Sequence, residues 1–115
     1  MAKSKYNARK VDADGYTFDS KAEYRRYREL RMLEQAGEIE CLQVHPKFRL
    51  LDGQDWNGKH YRPINYFADF SYREYKSGKV VIEDVKGVQT AVFRLKLKLL
   101  VDRLDEDVYE FRIVN

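Results

Sequence analysis

Three residues in the second half of the chain, Asp69, Asp84 and Lys86, have side chains suited to hydrolytic chemistry on a phosphate. The stretches 64–75 and 79–86 are rich in β-branched and aromatic residues, and Ser77-Gly78 between them reads as a two-residue hairpin loop. With that loop Lys76 faces Lys79 and opposed residues have numbers summing to 155, so Asp69 stands opposite Lys86 and Ser71 opposite Asp84. Alternation then keeps Asp69, Asp84 and Lys86 on one face, with Cβ atoms about 5 to 8 Å apart. Two acids so close repel each other unless a cation lies between them, and Mg²⁺, with Mn²⁺ as substitute, is the hard, oxygen-seeking ion that fits. Such an ion can polarise a scissile phosphate and acidify a bound water, while the Lys86 ammonium orients that water or neutralises charge on the phosphorus oxygens. The plainer reading is a cross-strand Asp69–Lys86 salt bridge on a solvated sheet. Glu83 is a rival acid, but alternation with Lys86 favours Asp84.

The elements that must position these groups begin with a helix. Ser20-Lys21-Ala22-Glu23 matches a capping box, and Tyr27, Leu30, Leu33 and Ala36 keep three-residue steps until Gly37, a C′ residue. Glu23, Tyr27 and Leu30 fall at i, i+4 and i+7, so the Glu23 carboxylate shares the side that seeks the core, where an acid is costly without a partner. From Ile39 to Leu51 two short strands are expected around Pro46, and Asp52 to His60 reads as a loop carrying Trp56. Phe93, Leu95, Leu97 and Leu99 alternate as in a strand while Phe93, Leu97, Leu100 and Leu104 fit a helix stripe; Thr90 as an N-cap and the length of the stretch favour helix, and Val108–Val114 reads as a last strand. The order is close to α-β-β-β-β-α-β, a mixed α/β domain.

Glu23 upstream, then Asp69, then Asp84-Val85-Lys86 fifteen residues on, resembles the signature of the PD-(D/E)XK nuclease superfamily. The stretches Phe18 to Glu23, Tyr66 to Phe70 and Asp84 to Thr90 are also similar to segments that recur, in that order, in an uncharacterised family of phage nuclease-like domains. The resemblance implies a restriction-endonuclease-like core, a central mixed β-sheet flanked by helices. It implies that Asp69 and Asp84 hold the metal, that Glu23 supplies a further acid, that Lys86 assists hydrolysis, and that Lys96 matches a lysine of the phage family. One departure is Ala68, where the superfamily often has proline before the first acid. The implied activity is Mg²⁺-dependent cleavage of structured or duplex DNA, with a homodimer expected by analogy to junction resolvases.

The remaining features bound this reading. At 115 residues, with 43% hydrophobic and 36% charged residues, the chain fits one soluble domain with no membrane-length apolar run. No apolar run follows the N-terminal Met-Ala-Lys-Ser-Lys and there is one cysteine, Cys41, which points to a reducing cytoplasm, that of a bacterial host on the phage reading. Residues 1–15 read as a flexible basic arm and 16–115 as the domain. Lys5, Arg9 and Lys10 of the arm, Arg25 on the first helix and Lys96 on the second are the candidate DNA contacts, against the plainer reading of solvated faces. His45 and His60 with Cys41 lack the paired spacing of a zinc site, which assigns each to packing or a surface hydrogen bond. Trp56 has a wedge against a base as its sharp reading and a half-buried ring as its dull one. The rival classes are a non-catalytic nucleic-acid-binding module and a protein-interaction accessory.

Overall fold

The computed structural model describes residues 9–115, and Lys5 lies outside the described residues. The elements are β1 (Val11–Ala13), β2 (Tyr16–Phe18), α1 (Lys21–Gln35), β3 (Ile39–Val44), β4 (Lys47–Leu51), β5 (Gln54–Trp56), β6 (Lys59–Tyr61), β7 (Ile64–Phe67), β8 (Phe70–Glu74), β9 (Val80–Val85), α2 (Ala91–Arg103) and β10 (Tyr109–Val114). The domain is mixed α/β and mostly strands.

Both helices start where their caps dictate. The Ser20 hydroxyl accepts the Glu23 N–H at 3.1 Å and the Thr90 hydroxyl accepts the Phe93 N–H at 3.1 Å, satisfying donors that a helix start leaves open. The central sheet runs β10-β9-β8-β3, with β10 parallel to β9 and the other pairs antiparallel. A parallel pair needs a crossover, which α2 supplies. Strict alternation along β9 feeds two cores. Val81 joins Phe18, Tyr27, Leu30, Ile39, Phe70 and Tyr72 on the α1 side, while Ile82 joins Leu50, Tyr66, Ala68, Phe93 and Leu100 on the α2 side.

Four expectations are corrected. First, the arm does not extend to residue 15: Val11 pairs with Phe18 and Ala13 with Tyr16 around an Asp14-Gly15 turn, and both Val11 and Ala13 pack on the α1 core. Second, the stretch 52–60 is not a plain loop. Gln54–Trp56 and Lys59–Tyr61 form a hairpin on Asn57-Gly58, whose φ values of 51° and 75° suit the primed turn that Asn-Gly favours. Third, residues 64–75 are two strands rather than one, bent at Ala68-Asp69, with β7 paired to β4 and β8 to β9.

Fourth, the hairpin loop between β8 and β9 holds four residues, Tyr75 to Gly78. The Glu74 N–H donates to the Lys79 carbonyl at 2.9 Å, the Gly78 N–H reaches the Glu74 carbonyl at 2.8 Å, and Gly78 takes the left-handed φ of 73° that closes the turn. Phe70 faces Glu83 and Tyr72 faces Val81, so opposed numbers sum to 153. Asp69 therefore comes level with Asp84, not Lys86. A slip of two preserves every residue's face, where a slip of one would have inverted it.

Glu83 belongs to the α1 side and has its own partner there. Arg26 of α1 donates to it twice, Nε to Oε1 at 2.8 Å and Nη2 to Oε2 at 2.6 Å, and the Tyr72 hydroxyl donates as well. Because Glu83 is fully buried, Arg26→Ala is expected to leave an uncompensated charge and cost about 3 kcal/mol, read from urea unfolding. Adding Glu83→Gln should recover part of the loss, since the amide still accepts from Tyr72 and leaves no buried charge. An Arg26→Ala protein as stable as wild type would show that this pair does not tie α1 to the sheet.

Candidate functional site

The antiparallel pairs β3–β8 and β4–β7 form one long ribbon with a corner in it. On one side the corner is His45-Pro46, where proline cannot donate to a ladder; on the other it is Ala68-Asp69. Two bonds join the sides: His45 N–H to the Asp69 carbonyl at 2.9 Å and Ala68 N–H to the Pro46 carbonyl at 3.1 Å. The corner thereby sets the His45 and Asp69 side chains beside the first turn of α1.

Asp69 is held on three sides. Its N–H donates to the Glu83 carbonyl at 3.1 Å, its carbonyl accepts from His45, and its Oδ2 accepts the Val85 N–H at 2.7 Å. Asp84, 2% exposed, accepts from the Tyr66 hydroxyl, and its Oδ1 lies 3.6 Å from the Lys86 ammonium. Lys86 rests its Nζ 4.9 Å above the Phe93 ring, which fixes the stem and leaves the charge at the carboxylates. Glu23, 3% exposed, accepts the Asp19 N–H at 3.3 Å through Oε2 and meets His45 Nε2 at 2.7 Å through Oε1. The capping box is thus modified, with Glu23 reaching past Ser20 to Asp19. One ligand atom each from Glu23, His45 and Asp69 lie within 4.8 Å of one another.

Asp69 stands between the two groups, with Asp84 and Lys86 on one side and Glu23 and His45 on the other. Burial, a carboxyl–carboxyl hydrogen bond to Asp84 and the Asp84 charge push its carboxyl up to about 8 against the opposing pull of the Val85 N–H, and Glu23 adds to the rise. Burial and the bond to Asp84 also push the Tyr66 hydroxyl up, so it stays a proton donor. The donor set of carboxylate oxygens with one imidazole, short of positive charge, fits a divalent cation.

The chain matches from residue 3 to residue 113 the family described as protein of unknown function (DUF1064). It belongs to that family. No curated protein and no solved structure matches the chain. The match takes in both sides of the corner, the N-terminus of α1 and all three segments singled out in the sequence.

Of the expected residues, Glu23, Asp69, Asp84 and Lys86 converge. Lys96 lies half-buried on α2, three residues beyond Phe93. Arg25 does not join them: two residues beyond Glu23, it is carried about 200° round the helix and is exposed. Arg9 and Lys10 are exposed ahead of β1. Trp56 is 65% exposed beside the Asn57-Gly58 turn, so its half-buried reading is set aside. Two participants escaped the sequence reading. His45 lacks the paired spacing of a zinc site, although a histidine before a strand-breaking proline marks a bend; Tyr66 lies in the Tyr66 to Phe70 segment, where its residue type gives no sign of a role. No helix among the described residues is long and apolar enough to cross a membrane.

Proposed function

We propose that this chain is a divalent-metal-dependent deoxyribonuclease of the PD-(D/E)XK type. The observation that carries the reading is Asp69, a half-buried carboxyl with Asp84 level on one side and the Glu23–His45 pair on the other. Acids gathered away from water are costly unless a cation joins them, and a structural salt bridge does not require three. The sheet supports the same reading, since an antiparallel β8–β9 hairpin followed by the α2 crossover to a parallel β10, with helices on both faces, suits a restriction-endonuclease-like core.

Glu23, Asp69 and Asp84 would hold Mg²⁺ or Mn²⁺, which when bound supplies charge neutralisation at the phosphate and a more acidic water. Val85 N–H and Tyr66 aim the two aspartates, so the site pays little to reorganise. Lys86, steadied on Phe93 and not consumed by a short ion pair, can donate to the attacking water or to a phosphate oxygen.

The test is incubation of the protein with plasmid, linear, flap and four-way DNA in Mg²⁺ or Mn²⁺ and in chelator. Cleavage that the chelator stops supports the proposal; DNA binding indifferent to metal, without cleavage, would leave a non-catalytic binding module. Glu23→Gln sharpens it. Ser20 caps the helix without the Glu23 side chain, and an amide oxygen still accepts from Asp19, so the melting temperature should hold while cleavage falls by about 10²-fold. Unchanged cleavage would remove Glu23 from the site.

A further inference from the structure

The Glu23–His45–Asp69 group has a composition that a Mg²⁺ site does not need. Magnesium is served by oxygen donors and water, whereas an imidazole adds affinity for first-row transition metals. His45 also carries a backbone cost. Its φ is 55°, in the left-handed region that non-glycine residues visit sparingly, and such strain persists where surrounding structure holds it and gathers at ligand sites. Here the corner holds it, through the His45 N–H bond to Asp69 and through Pro46 behind it. The side chain is not merely packed: it is about a third exposed, with Nε2 directed at a carboxylate that is 4% exposed.

We infer that His45 is a metal ligand, joining Glu23 and Asp69, and that its imidazole turns the site's preference from Mg²⁺ towards a transition-metal divalent ion such as Mn²⁺. The inference rests on the nuclease reading for its purpose but on the Glu23–His45–Asp69 geometry for its content. Without the ion, His45 Nε2 and Glu23 Oε1 meet directly at 2.7 Å. Two adjacent ligands of an octahedral ion with bonds near 2.1 Å stand about 3 Å apart, so the pair need open by only a few tenths of an ångström to admit it. The three ligand atoms already lie within 4.8 Å of one another, so Asp69 would close by about 2 Å at most to share the ion. Histidine is then one of the few residues that tolerate the corner's backbone and also supply nitrogen.

The experiment uses the full chain loaded with Mn²⁺ alone. Electron spin-echo spectroscopy reads a directly bound imidazole nitrogen, and calorimetric titration compares Mn²⁺ with Mg²⁺. The variant is His45→Asn, because asparagine accepts the left-handed backbone; His60→Ala, in the exposed β5–β6 hairpin, is the control and circular dichroism checks folding. The expected result is a nitrogen signal in wild type and His60→Ala that vanishes in His45→Asn. Mn²⁺ affinity should fall by about tenfold or more in His45→Asn, and Mg²⁺ affinity by less than about threefold. A Mn²⁺ complex without the nitrogen signal, or His45→Asn with wild-type Mn²⁺ affinity, overturns the inference. In that event the nuclease reading stands if Asp84→Asn still weakens binding of either ion, and binding of neither ion by wild type overturns both. Should His45→Asn fail to fold, His45→Gly, free of backbone strain at that φ, gives the same comparison.

Discussion

Asp84→Asn is expected to lower metal-dependent DNA cleavage by about 10³-fold or more while leaving the melting temperature within a few degrees of wild type. The two halves of this result have separate causes. Stability holds because asparagine matches aspartate in shape and its amide oxygen still accepts from the Tyr66 hydroxyl, and because removing the Asp84 charge relieves Asp69, whose carboxyl that charge helps to raise. Activity falls because the cation loses a charged ligand and the Lys86 ammonium loses the carboxylate 3.6 Å away that sets its position. Glu83→Gln provides the contrast. Glu83 lies on the opposite face, in the hold of Arg26 and Tyr72, so its substitution should move the unfolding midpoint and leave cleavage by the folded protein nearly intact. Both are measured by initial rates of plasmid nicking and by thermal melts on the same preparations. An Asp84→Asn protein that nicks at the wild-type rate would remove this acid from the chemistry.

What the sequence made legible here, and what it hid, divides by the range of the forces involved. Helix starts are local, so Ser20 and Thr90 could be named as caps from their neighbours alone. Face assignments depend only on parity: the loop was two residues longer than Ser77-Gly78 suggested, yet Asp69 and Asp84 stayed on one face because the error was even. Register itself was not legible, since Tyr75 and Lys76 suit a strand as well as a loop and the Gly78 turn decides between them. The β5–β6 hairpin is legible only in Asn57-Gly58, because its strands are three residues each and exposed, with no apolar face to mark them. His45 was out of reach for a different reason. Its partners Glu23 and Asp69 are 22 and 24 positions away, and what brings them together is the ribbon corner, whose far side, Ala68-Asp69, carries no proline or glycine to announce it.

Asp69 makes the stability of the metal-free protein depend on pH in an unusual direction. An unfolded aspartate releases its proton near 3.8, whereas folding pushes the Asp69 carboxyl up to about 8, first by burial and then by Asp84. Between these values the folded state holds a proton that the unfolded state has lost, so stability falls as pH rises. The contribution is fully present below about 4, declines through the window from 4 to 8 and is gone above 8. Asp69→Asn cannot titrate, so the difference in melting temperature between the variant and wild type, without metal, should widen in the variant's favour from pH 5 to pH 8.5. A divalent cation reverses the order in wild type alone. It competes with the proton for Asp69, so it should raise the melting temperature strongly at pH 8.5 and weakly at pH 5, with about one proton released per ion bound near pH 7. Calorimetry in two buffers of different ionisation enthalpy counts that proton. If wild type and Asp69→Asn melt in parallel across the whole range, or if cation binding releases no proton, Asp69 is not the protonated carboxyl at the centre of this site.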